Sequence, residues 1–195
     1  MLSWRGHERN VSAPPISDRD WDKLVGSYDY VIWDFDGTLA HLRVDWPALK
    51  DRLARLIGGI EQDATMSAIA AEALKRGLHQ RVWDMIAETE LQGLRPLPAR
   101  VEQLRRFAQR SAILTNNMSR TVEWFLASQR LPSMPIVSLD RVTLPKPDPE
   151  GIMRLAMHWR GRRALVIGDS ELDRMVATSA GLDCVILPGE ICDAG

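Results

Sequence analysis

Hydrophobic and polar positions form two repeating patterns in the second half of the chain. Short, β-branched apolar runs, typical of strands buried in a parallel sheet, stand between longer stretches with apolar residues at helical spacing. The runs predict strands at 112–115, 135–139, 164–168 and 184–187. The longer stretches predict helices at about 99–109, 119–130, 149–159 and 171–180. This regular alternation predicts an α/β fold with a parallel sheet.

The pattern between the first apolar run and residue 94 is helical. The run itself, residues 30–33, predicts a strand. Three amphipathic segments without any strand signal follow it: one from Asp45 to the glycines after residue 57, one at about 63–76 and one at 78–91. A crossover between parallel strands normally uses a single helix, so three successive helices favour an insertion into the α/β domain. The alternative is that these helices cover one face of the sheet.

The simplest organisation is a doubly wound α/β core that is interrupted, directly after its first strand, by a small all-helical cap. The core takes residues 17–41 and 95–195, and the cap takes residues 42–94, with a proline-containing linker at 95–98. Residues 1–16 are interpreted as a loose N-terminal arm. A cap at this place would lie over the carboxyl ends of the strands, where open α/β sheets bind their ligands.

Composition and charge narrow the classes of partner. The chain has 195 residues, of which 45% are hydrophobic, and 25 basic against 26 acidic side chains. This balance provides no basic field for nucleic acid, so an anionic ligand needs a local site. No apolar stretch suits a signal peptide or a membrane span, so neither export nor membrane insertion is expected. Cys184 and Cys192 form neither a disulfide framework nor a metal-ligand pattern, which favours a cytoplasmic protein.

Two aspartates stand where the first predicted strand ends. Asp34 and Asp36 are separated by one residue and are followed by Gly37, which lets the chain turn sharply. Such a pair can divide a reaction, one carboxylate attacking and the other moving protons. The alternative is a plain hairpin turn, for which Asp-Gly is a common signal.

Three more loops place polar residues at or just after predicted strand ends. Thr115 and Asn116 follow one strand, Lys146 lies in a Lys-Pro-Asp-Pro loop, and Asp169 and Asp173 follow another strand. Each has an ordinary structural explanation, as a helix N-cap, a solvated loop cation or an exposed first-turn acid. The carboxyl ends of parallel strands meet at one edge of a sheet, however, so all of these side chains are expected beside the aspartate pair.

In this order the loops resemble the motifs of the haloacid dehalogenase (HAD) superfamily. Residues 34–38, Asp-Phe-Asp-Gly-Thr, are similar to its first motif, Thr115 to its second, Lys146 to its third and residues 168–173 to its fourth. The resemblance covers residues 30–187 and includes a helical cap after the first motif. It implies a HAD-like Rossmannoid core with a reduced cap, similar to phosphoglycolate-phosphatase-like hydrolases.

The resemblance implies phosphoryl transfer through an aspartyl phosphate. Asp34 would be the nucleophile that attacks phosphorus, and Asp36 would protonate the leaving oxygen and later take a proton from water. Thr115, Asn116 and Lys146 would bind the phosphoryl oxygens. Lys146 would also neutralise charge on the transferring group.

The resemblance also implies a Mg²⁺ ion. Carboxylates of Asp34 and Asp169 and the backbone carbonyl of Asp36 would bind it, and water would complete an octahedral shell. Asp173 would stand behind these ligands and orient the water shell. The positive charge would make the acidic cluster usable, because carboxylates alone repel a phosphate dianion.

The activity implied by these residues is a magnesium-dependent phosphatase acting on a small phosphomonoester, with phosphoglycolate as the family-level candidate. A phosphomutase of the same fold is one alternative, although a cap of roughly fifty residues is small for excluding water. A non-catalytic HAD-like binding module is another, which the presence of Asp36 argues against. Haloacid dehalogenation is disfavoured because dehalogenases normally lack the second aspartate. The sequence carries no signal for an oligomeric state.

Substrate identity is the least readable property. The loop after the first motif contacts the leaving group in this superfamily. Here residues 40–46 read Ala-His-Leu-Arg-Val-Asp-Trp, whereas many related phosphatases continue with Val-Asp-Ser. His41 and Arg43 could reach a substrate anion or lie on the surface beside the first cap helix, and they are not counted among the site residues.

Overall fold

The computed structural model of the protein describes residues 18–61, 64–159 and 161–188. Its strands, in chain order, are β1 (Tyr30–Trp33), β2 (Ala40–Leu42), β3 (Leu94–Pro96), β4 (Ser111–Leu114), β5 (Ile136–Val137), β6 (Ala164–Gly168) and β7 (Asp183–Ile186). Five of them form a parallel sheet in the order β5-β4-β1-β6-β7, and β2 pairs with β3 separately.

Helices connect these strands in the alternation that the sequence predicted. In chain order they are α1 (Asp18–Gly26), α2 (Trp46–Ile57), α3 (Met66–Lys75), α4 (His79–Gly93), α5 (Pro98–Phe107), α6 (Ser119–Ser128), α7 (Glu150–Trp159) and α8 (Glu171–Ser179). Helices α2, α3 and α4 lie between β2 and β3 along the chain and are called the helical cap below. The predicted class, a parallel α/β core with helices inserted after the first strand, is confirmed.

The sheet is buried on both faces because helices cover each of them. Val31 and Trp33 of β1 pack in a cluster with α1, α5 and α6, whereas Tyr30 and Ile32 pack in a cluster with α7 and α8. This division follows from the alternating direction of side chains along a strand. It also explains why the three inner strands, β4, β1 and β6, are mostly apolar, since a buried parallel strand meets a hydrophobic layer on both sides.

The helical cap has a hydrophobic core of its own. Its buried members include Leu49, Leu53, Ile57, Ile69, Val82 and Ile86. The side chains of Asp45 and Thr65 cap α2 and α3 by accepting hydrogen bonds from backbone N–H groups three residues ahead. Met118 and Leu139 of the core belong to the same cluster, so the cap packs on the sheet domain at these two residues.

Strands β2 and β3 form an antiparallel ribbon at the base of the cap. Ala40 lies opposite Pro96, and Leu42 lies opposite Leu94. The sequence predicted only a linker at 95–98, so this part of the prediction is wrong. Each strand has 3 residues, too few to carry a periodic signal. Proline also argues against a strand in general, but it is tolerated at the end of an edge strand.

Boundaries elsewhere agree closely with the pattern. The predicted strand at 135–139 is shorter than expected, Ile136–Val137, because the chain passes into a 3₁₀ turn at Leu139–Arg141. The predicted arm at 1–16 and Cys192 lie outside the described residues. Within the described part of the chain, no helix is both long and apolar enough to cross a bilayer.

Candidate active site

Asp34 and Asp36 lie at the carboxyl end of β1, the central strand of the sheet. The backbone N–H of Asp34 donates to the carbonyl of Ile167 in β6 over 2.8 Å, and the Asp34 side chain is buried. The Asp36 carboxylate accepts a hydrogen bond from the backbone N–H of Leu42 at 2.8 Å. Gly37 turns the chain with a φ of 78°. The Asp-Gly signal therefore does mark a turn, and that turn carries one buried carboxylate, Asp34, and one half-buried carboxylate, Asp36.

The Lys146 ammonium lies between two buried carboxylates. Its Nζ atom is 2.6 Å from Oδ1 of Asp34 and 2.6 Å from Oδ1 of Asp173. Burial lowers the pKa of Lys146, but the two carboxylates outweigh that effect and the pKa is raised overall. Only 5% of the Lys146 side chain is exposed, so the alternative interpretation of this residue as a solvated loop cation is wrong.

The Asn116 side chain holds the backbone of Lys146. Its Oδ1 accepts a hydrogen bond from the Lys146 N–H at 2.9 Å, and its Nδ2 donates to the Lys146 carbonyl at 3.1 Å. These two bonds fix the point from which the long lysine side chain starts. The predicted phosphate contact of this residue stays a prediction.

Thr115 directly follows β4, which neighbours β1 in the sheet. Its backbone N–H donates to the carbonyl of Val137 in β5 over 2.9 Å. Its hydroxyl donates to Oδ1 of Asn117 at 2.7 Å and accepts from the Asn117 N–H at 3.1 Å. Asn116 is not the N-cap of α6, because that position belongs to Met118.

Asp169 and Asp173 follow β6, the strand on the other side of β1. Oδ2 of Asp173 accepts hydrogen bonds from the N–H and the hydroxyl of Ser170 at 3.1 and 2.6 Å. Asp173 is only 1% exposed, so it is not an exposed first-turn acid. Glycines make room for both acids: a Cβ at Gly168 would lie 2.2 Å from Asp173 Cγ, and one at Gly37 would lie 1.9 Å from Asp169 Oδ2.

Three carboxylates at this edge are close enough to share one cation. Oxygen atoms of Asp34, Asp169 and Asp173 lie within 4.8 Å of one another. Carboxylate oxygens are the ligands that Mg²⁺ prefers, usually one or two of them together with water and substrate phosphate. The donor set therefore fits Mg²⁺. Lys146 and Ser170 already engage both oxygens of Asp173, which leaves Asp34 and Asp169 as the better placed direct ligands.

Burial is the largest electrostatic effect on the acids of the site. Burial raises the pKa of Asp34. The Lys146 ammonium lowers this pKa and the Asp173 carboxylate raises it, and the overall change is upward. Burial also raises the pKa of Asp36 against a backbone N–H donor, and it raises that of Asp169, where the Asp173 charge adds to it. The single Lys146 ammonium does not balance all of these carboxylates. A bound cation would add positive charge and so favour their ionised forms.

Glu90, which the sequence reasoning missed, links the helical cap to these loops. It lies on α4 and is fully buried, and its carboxylate accepts hydrogen bonds from Asn117 Nδ2 at 3.1 Å, the Met118 N–H at 3.1 Å and the Thr121 hydroxyl at 2.6 Å. Burial raises its pKa to about 7. A charged residue four positions after Ile86, on the apolar stripe of an amphipathic helix, is the signal that could have identified it.

Known proteins resemble this chain, one family in sequence and several solved structures in fold. A model of the haloacid dehalogenase-like hydrolase family matches residues 47–187, beginning after the aspartate pair. Similar solved structures include a hydrolase of Pseudomonas syringae, with a TM-score of 0.60 and 21% identity over 80% of this chain and 83% of its own. Among curated proteins, none matches the sequence significantly.

Two further structures are similar. A predicted phosphoglycolate phosphatase of Haemophilus somnus has a TM-score of 0.59 and 19% identity over 83% of this chain and 86% of its own. A HAD family enzyme of Bacteroides thetaiotaomicron, in complex with magnesium and inorganic phosphate, has a TM-score of 0.55 and 12% identity over 86% of this chain and 98% of its own. At these identities the similarity shows a common fold.

Proposed function

This chain belongs to the haloacid dehalogenase-like hydrolase family, and we propose that it is a magnesium-dependent phosphatase that hydrolyses a small phosphomonoester through an aspartyl phosphate at Asp34. One observation carries the proposal. The buried Asp34 carboxylate lies 2.6 Å from the Lys146 ammonium, and oxygens of Asp169 and Asp173 lie within 4.8 Å of its own. A carboxylate, an ammonium and a cation-binding acidic cluster are what phosphoryl transfer to an aspartate requires.

The first step is attack by an Asp34 oxygen on phosphorus. A new O–P bond forms as the ester O–P bond breaks, and Asp36 gives its proton to the leaving alcohol oxygen. Burial supports this role because it raises the pKa of Asp36 and so favours the protonated carboxyl group. The Leu42 N–H donates a hydrogen bond to one oxygen of the Asp36 carboxyl group, and this bond fixes the orientation of the Asp36 side chain.

The second step returns Asp34 to its starting state. Asp36, now a carboxylate, takes a proton from water while the water oxygen attacks phosphorus. The bond between phosphorus and Asp34 breaks, and inorganic phosphate leaves. Using one carboxyl group as acid and then as base balances the protons over the two steps.

The remaining residues bind charge. Lys146 would neutralise an oxygen of the transferring phosphoryl group while its ion pairs with Asp34 and Asp173 hold it in place. Thr115 and the backbone N–H of Asn116 would donate to the same group from the end of β4. Asn116 contributes further by fixing the backbone of Lys146.

Asp34 and Asp169, together with the backbone carbonyl of Asp36, would hold Mg²⁺. When bound, the ion supplies the positive charge that allows a phosphate dianion to approach several carboxylates. Asp173 would support the site from behind, because Lys146 and Ser170 already fix both of its oxygens. The magnesium and phosphate complex of the B. thetaiotaomicron enzyme, which has a similar fold, supports the choice of Mg²⁺ as the ion.

The substrate that we propose to test first is phosphoglycolate. The similar fold of the H. somnus protein, a predicted phosphoglycolate phosphatase, supports the choice of a small organic phosphate. The direct test of the activity is incubation of the purified protein with a chromogenic aryl phosphate. We expect phosphate release with Mg²⁺ and loss of that release with a chelator. Equal turnover under both conditions would overturn metal dependence, and no turnover of any phosphomonoester would overturn the proposed activity.

A further inference from the structure

Glu90 is a fully buried carboxylate that the proposed reaction does not use. It lies near the end of α4, the last helix of the cap, and continues the apolar stripe formed by Val82 and Ile86. Burying an ionisable group on such a stripe is costly unless it is hydrogen-bonded. The three donors that satisfy Glu90 all belong to the core, in the short segment between β4 and the first turn of α6.

The Glu90 carboxylate fixes the rotation of the Asn117 side chain. An ionised carboxylate only accepts hydrogen bonds, so Asn117 must turn its NH₂ group towards Glu90, at 3.1 Å. The carbonyl oxygen of the same amide then faces Thr115. It accepts the Thr115 hydroxyl proton at 2.7 Å. The direction of one hydrogen bond, donated by Asn117 to Glu90, thus determines the direction of the next, donated by Thr115 to Asn117.

This arrangement occupies the only proton of the Thr115 hydroxyl. The hydroxyl oxygen also accepts from the Asn117 backbone N–H at 3.1 Å. A hydroxyl has one donor, so Thr115 can donate to a phosphoryl oxygen only if it gives up its bond to the Asn117 carbonyl. The carbonyl oxygen would then be left without that partner in a buried place, which costs free energy.

We propose that Glu90 is a positioning residue: acting through Asn117, it directs the Thr115 hydroxyl proton away from the phosphoryl group and so weakens the hold of the site on phosphate. The inference rests on the proposed function, because it requires a phosphoryl group beside Thr115. A residue of the helical cap, Glu90, thus determines the direction of a hydrogen bond in the core. The affinity of the site for inorganic phosphate, the product, therefore depends on Glu90.

The substitution Glu90→Gln tests the direction of these bonds. The Gln carbonyl oxygen can still accept from the Met118 N–H and the Thr121 hydroxyl, so the helix contacts are kept. Its NH₂ group then faces Asn117, where two NH₂ groups cannot pair. Asn117 should turn over, accept from the Gln and donate its own NH₂ to Thr115. The Thr115 proton is thereby released for phosphate.

We expect the dissociation constant of inorganic phosphate, measured calorimetrically with Mg²⁺ present at about pH 8, where Glu90 is ionised, to fall about three- to tenfold in Glu90→Gln, the worth of one net hydrogen bond. A merely structural role of Glu90 predicts unchanged or weaker binding. In a Thr115→Val background, which lacks the hydroxyl, Glu90→Gln should change nothing. An unchanged constant in the single variant, or an equal change in both backgrounds, would overturn the proposal.

Asp140 offers a matched control at the same helix terminus. Its carboxylate accepts hydrogen bonds from the N–H and hydroxyl of Ser119 at 2.9 and 2.6 Å, next to the Met118 contact of Glu90. The change Asp140→Asn removes a charge there without touching Asn117, so phosphate affinity should stay that of the unaltered protein. An equal tightening in Asp140→Asn would mean that lost charge, and not the turned amide, is responsible, and would refute the proposal.

A second readout separates this inference from the proposed function. In isotope-labelled protein the Asn117 side-chain NH₂ protons should show contacts to Glu90 side-chain protons by NMR, and in Glu90→Gln contacts to the Thr115 methyl group instead. This exchange of partners needs neither activity nor phosphate. A protein that hydrolyses no phosphoester but shows the exchange refutes the proposed function alone. An active enzyme with the same contacts in both forms refutes the role of Glu90.

Discussion

The Lys146 ammonium and the Asp34 carboxylate lie 2.6 Å apart, and less than a tenth of either side chain is exposed. They come from a loop before α7 and from the end of β1, so only the folded sheet brings them together. The lysine favours the ionised form of Asp34, whereas burial opposes it. In the proposed reaction the pair would therefore provide both a positioned nucleophile and a positive charge for the group that it attacks.

Replacing Lys146 by methionine should destabilise the protein strongly. The change keeps most of the side-chain volume but leaves Asp34 and Asp173 buried without their shared partner, and breaking such a pair costs about 3–5 kcal/mol of unfolding free energy. Urea denaturation without Mg²⁺ measures the effect. Mg²⁺ should restore part of the stability because it supplies charge to the same carboxylates.

The matched control is Lys75→Met. Lys75 pairs with Glu72 on the surface of the cap, and 74% of its side chain is exposed. Water screens this pair, so the denaturation midpoint should hardly move. Similar losses in the two variants would show that the Lys146 ion pair has no special weight in this fold.

Gly37→Ala should disrupt the acidic cluster. The new methyl group would lie 1.9 Å from Asp169 Oδ2, so this carboxylate must move away from its place beside Asp34. We expect lost Mg²⁺ affinity, measured by calorimetry, and a large fall in phosphatase activity.

Gly161→Ala controls for backbone strain in that experiment. Gly161 has nearly the same φ as Gly37, 77° against 78°, but a Cβ there meets no atom within 4 Å. It should therefore cost about 1–2 kcal/mol of stability for the left-handed conformation, with Mg²⁺ affinity unchanged. If Gly37→Ala also kept its Mg²⁺ affinity, Asp169 would not be a ligand.

Glu90 should make the stability of the protein depend on pH near neutrality. Burial, helped by the charge of Asp36, raises its folded-state pKa from 4.5 to about 7. The folded protein then binds more protons than the unfolded chain in this window, so this residue lowers stability as pH rises through it. Glu90→Gln does not titrate. The unfolding free energy of Glu90→Gln, relative to that of the unaltered protein, should therefore rise by up to about 3 kcal/mol between pH 5 and pH 8.

Asp140→Asn should show no such pH dependence near neutrality. Burial raises the pKa of Asp140, but hydrogen bonds from Ser119 outweigh it and the pKa is lowered overall. Stability from this residue is complete above its ordinary pKa and is lost only in acid, so the difference between Asp140→Asn and the unaltered protein should be flat from pH 5 to 8. Denaturation curves across this range check both variants. A flat difference for Glu90→Gln as well would contradict the raised pKa of Glu90.

Elements and residues with strong local signals were predictable from the sequence. The strand Ala164–Gly168 was predicted at its observed boundaries, because a short apolar run, Ala-Leu-Val-Ile, followed by Gly-Asp-Ser is typical of a buried strand that ends in a turn. Asp34, Lys146 and Asp173 were expected at one edge, and the structure brings them into direct contact. The carboxyl ends of parallel strands lie at the same edge of a sheet. Residues that follow different strands could therefore be predicted to lie near one another, although their side-chain contacts could not.

Contacts between the helical cap and the core were not predictable. Glu90 and Asn117 are 27 positions apart, and helical periodicity shows only which face of α4 is apolar, not which core loop packs against that face. The role of Asn116 was missed for a similar reason. An asparagine after a strand suggests a cap or a ligand contact, whereas its actual partner, the backbone of Lys146, lies 30 positions away.

The most direct test of the account is detection of a phosphoryl group on Asp34. In Asp36→Asn the water step should be slow because the base is missing, while an aryl phosphate needs little help from an acid to leave. After acid quenching, mass spectrometry should find one phosphoryl group on the peptide that contains Asp34, and hydroxylamine should remove it. Asp34→Asn should show none. Turnover of the aryl phosphate by Asp36→Asn without this adduct, or with the phosphoryl group on another residue, would contradict the assignment of Asp34 as the nucleophile.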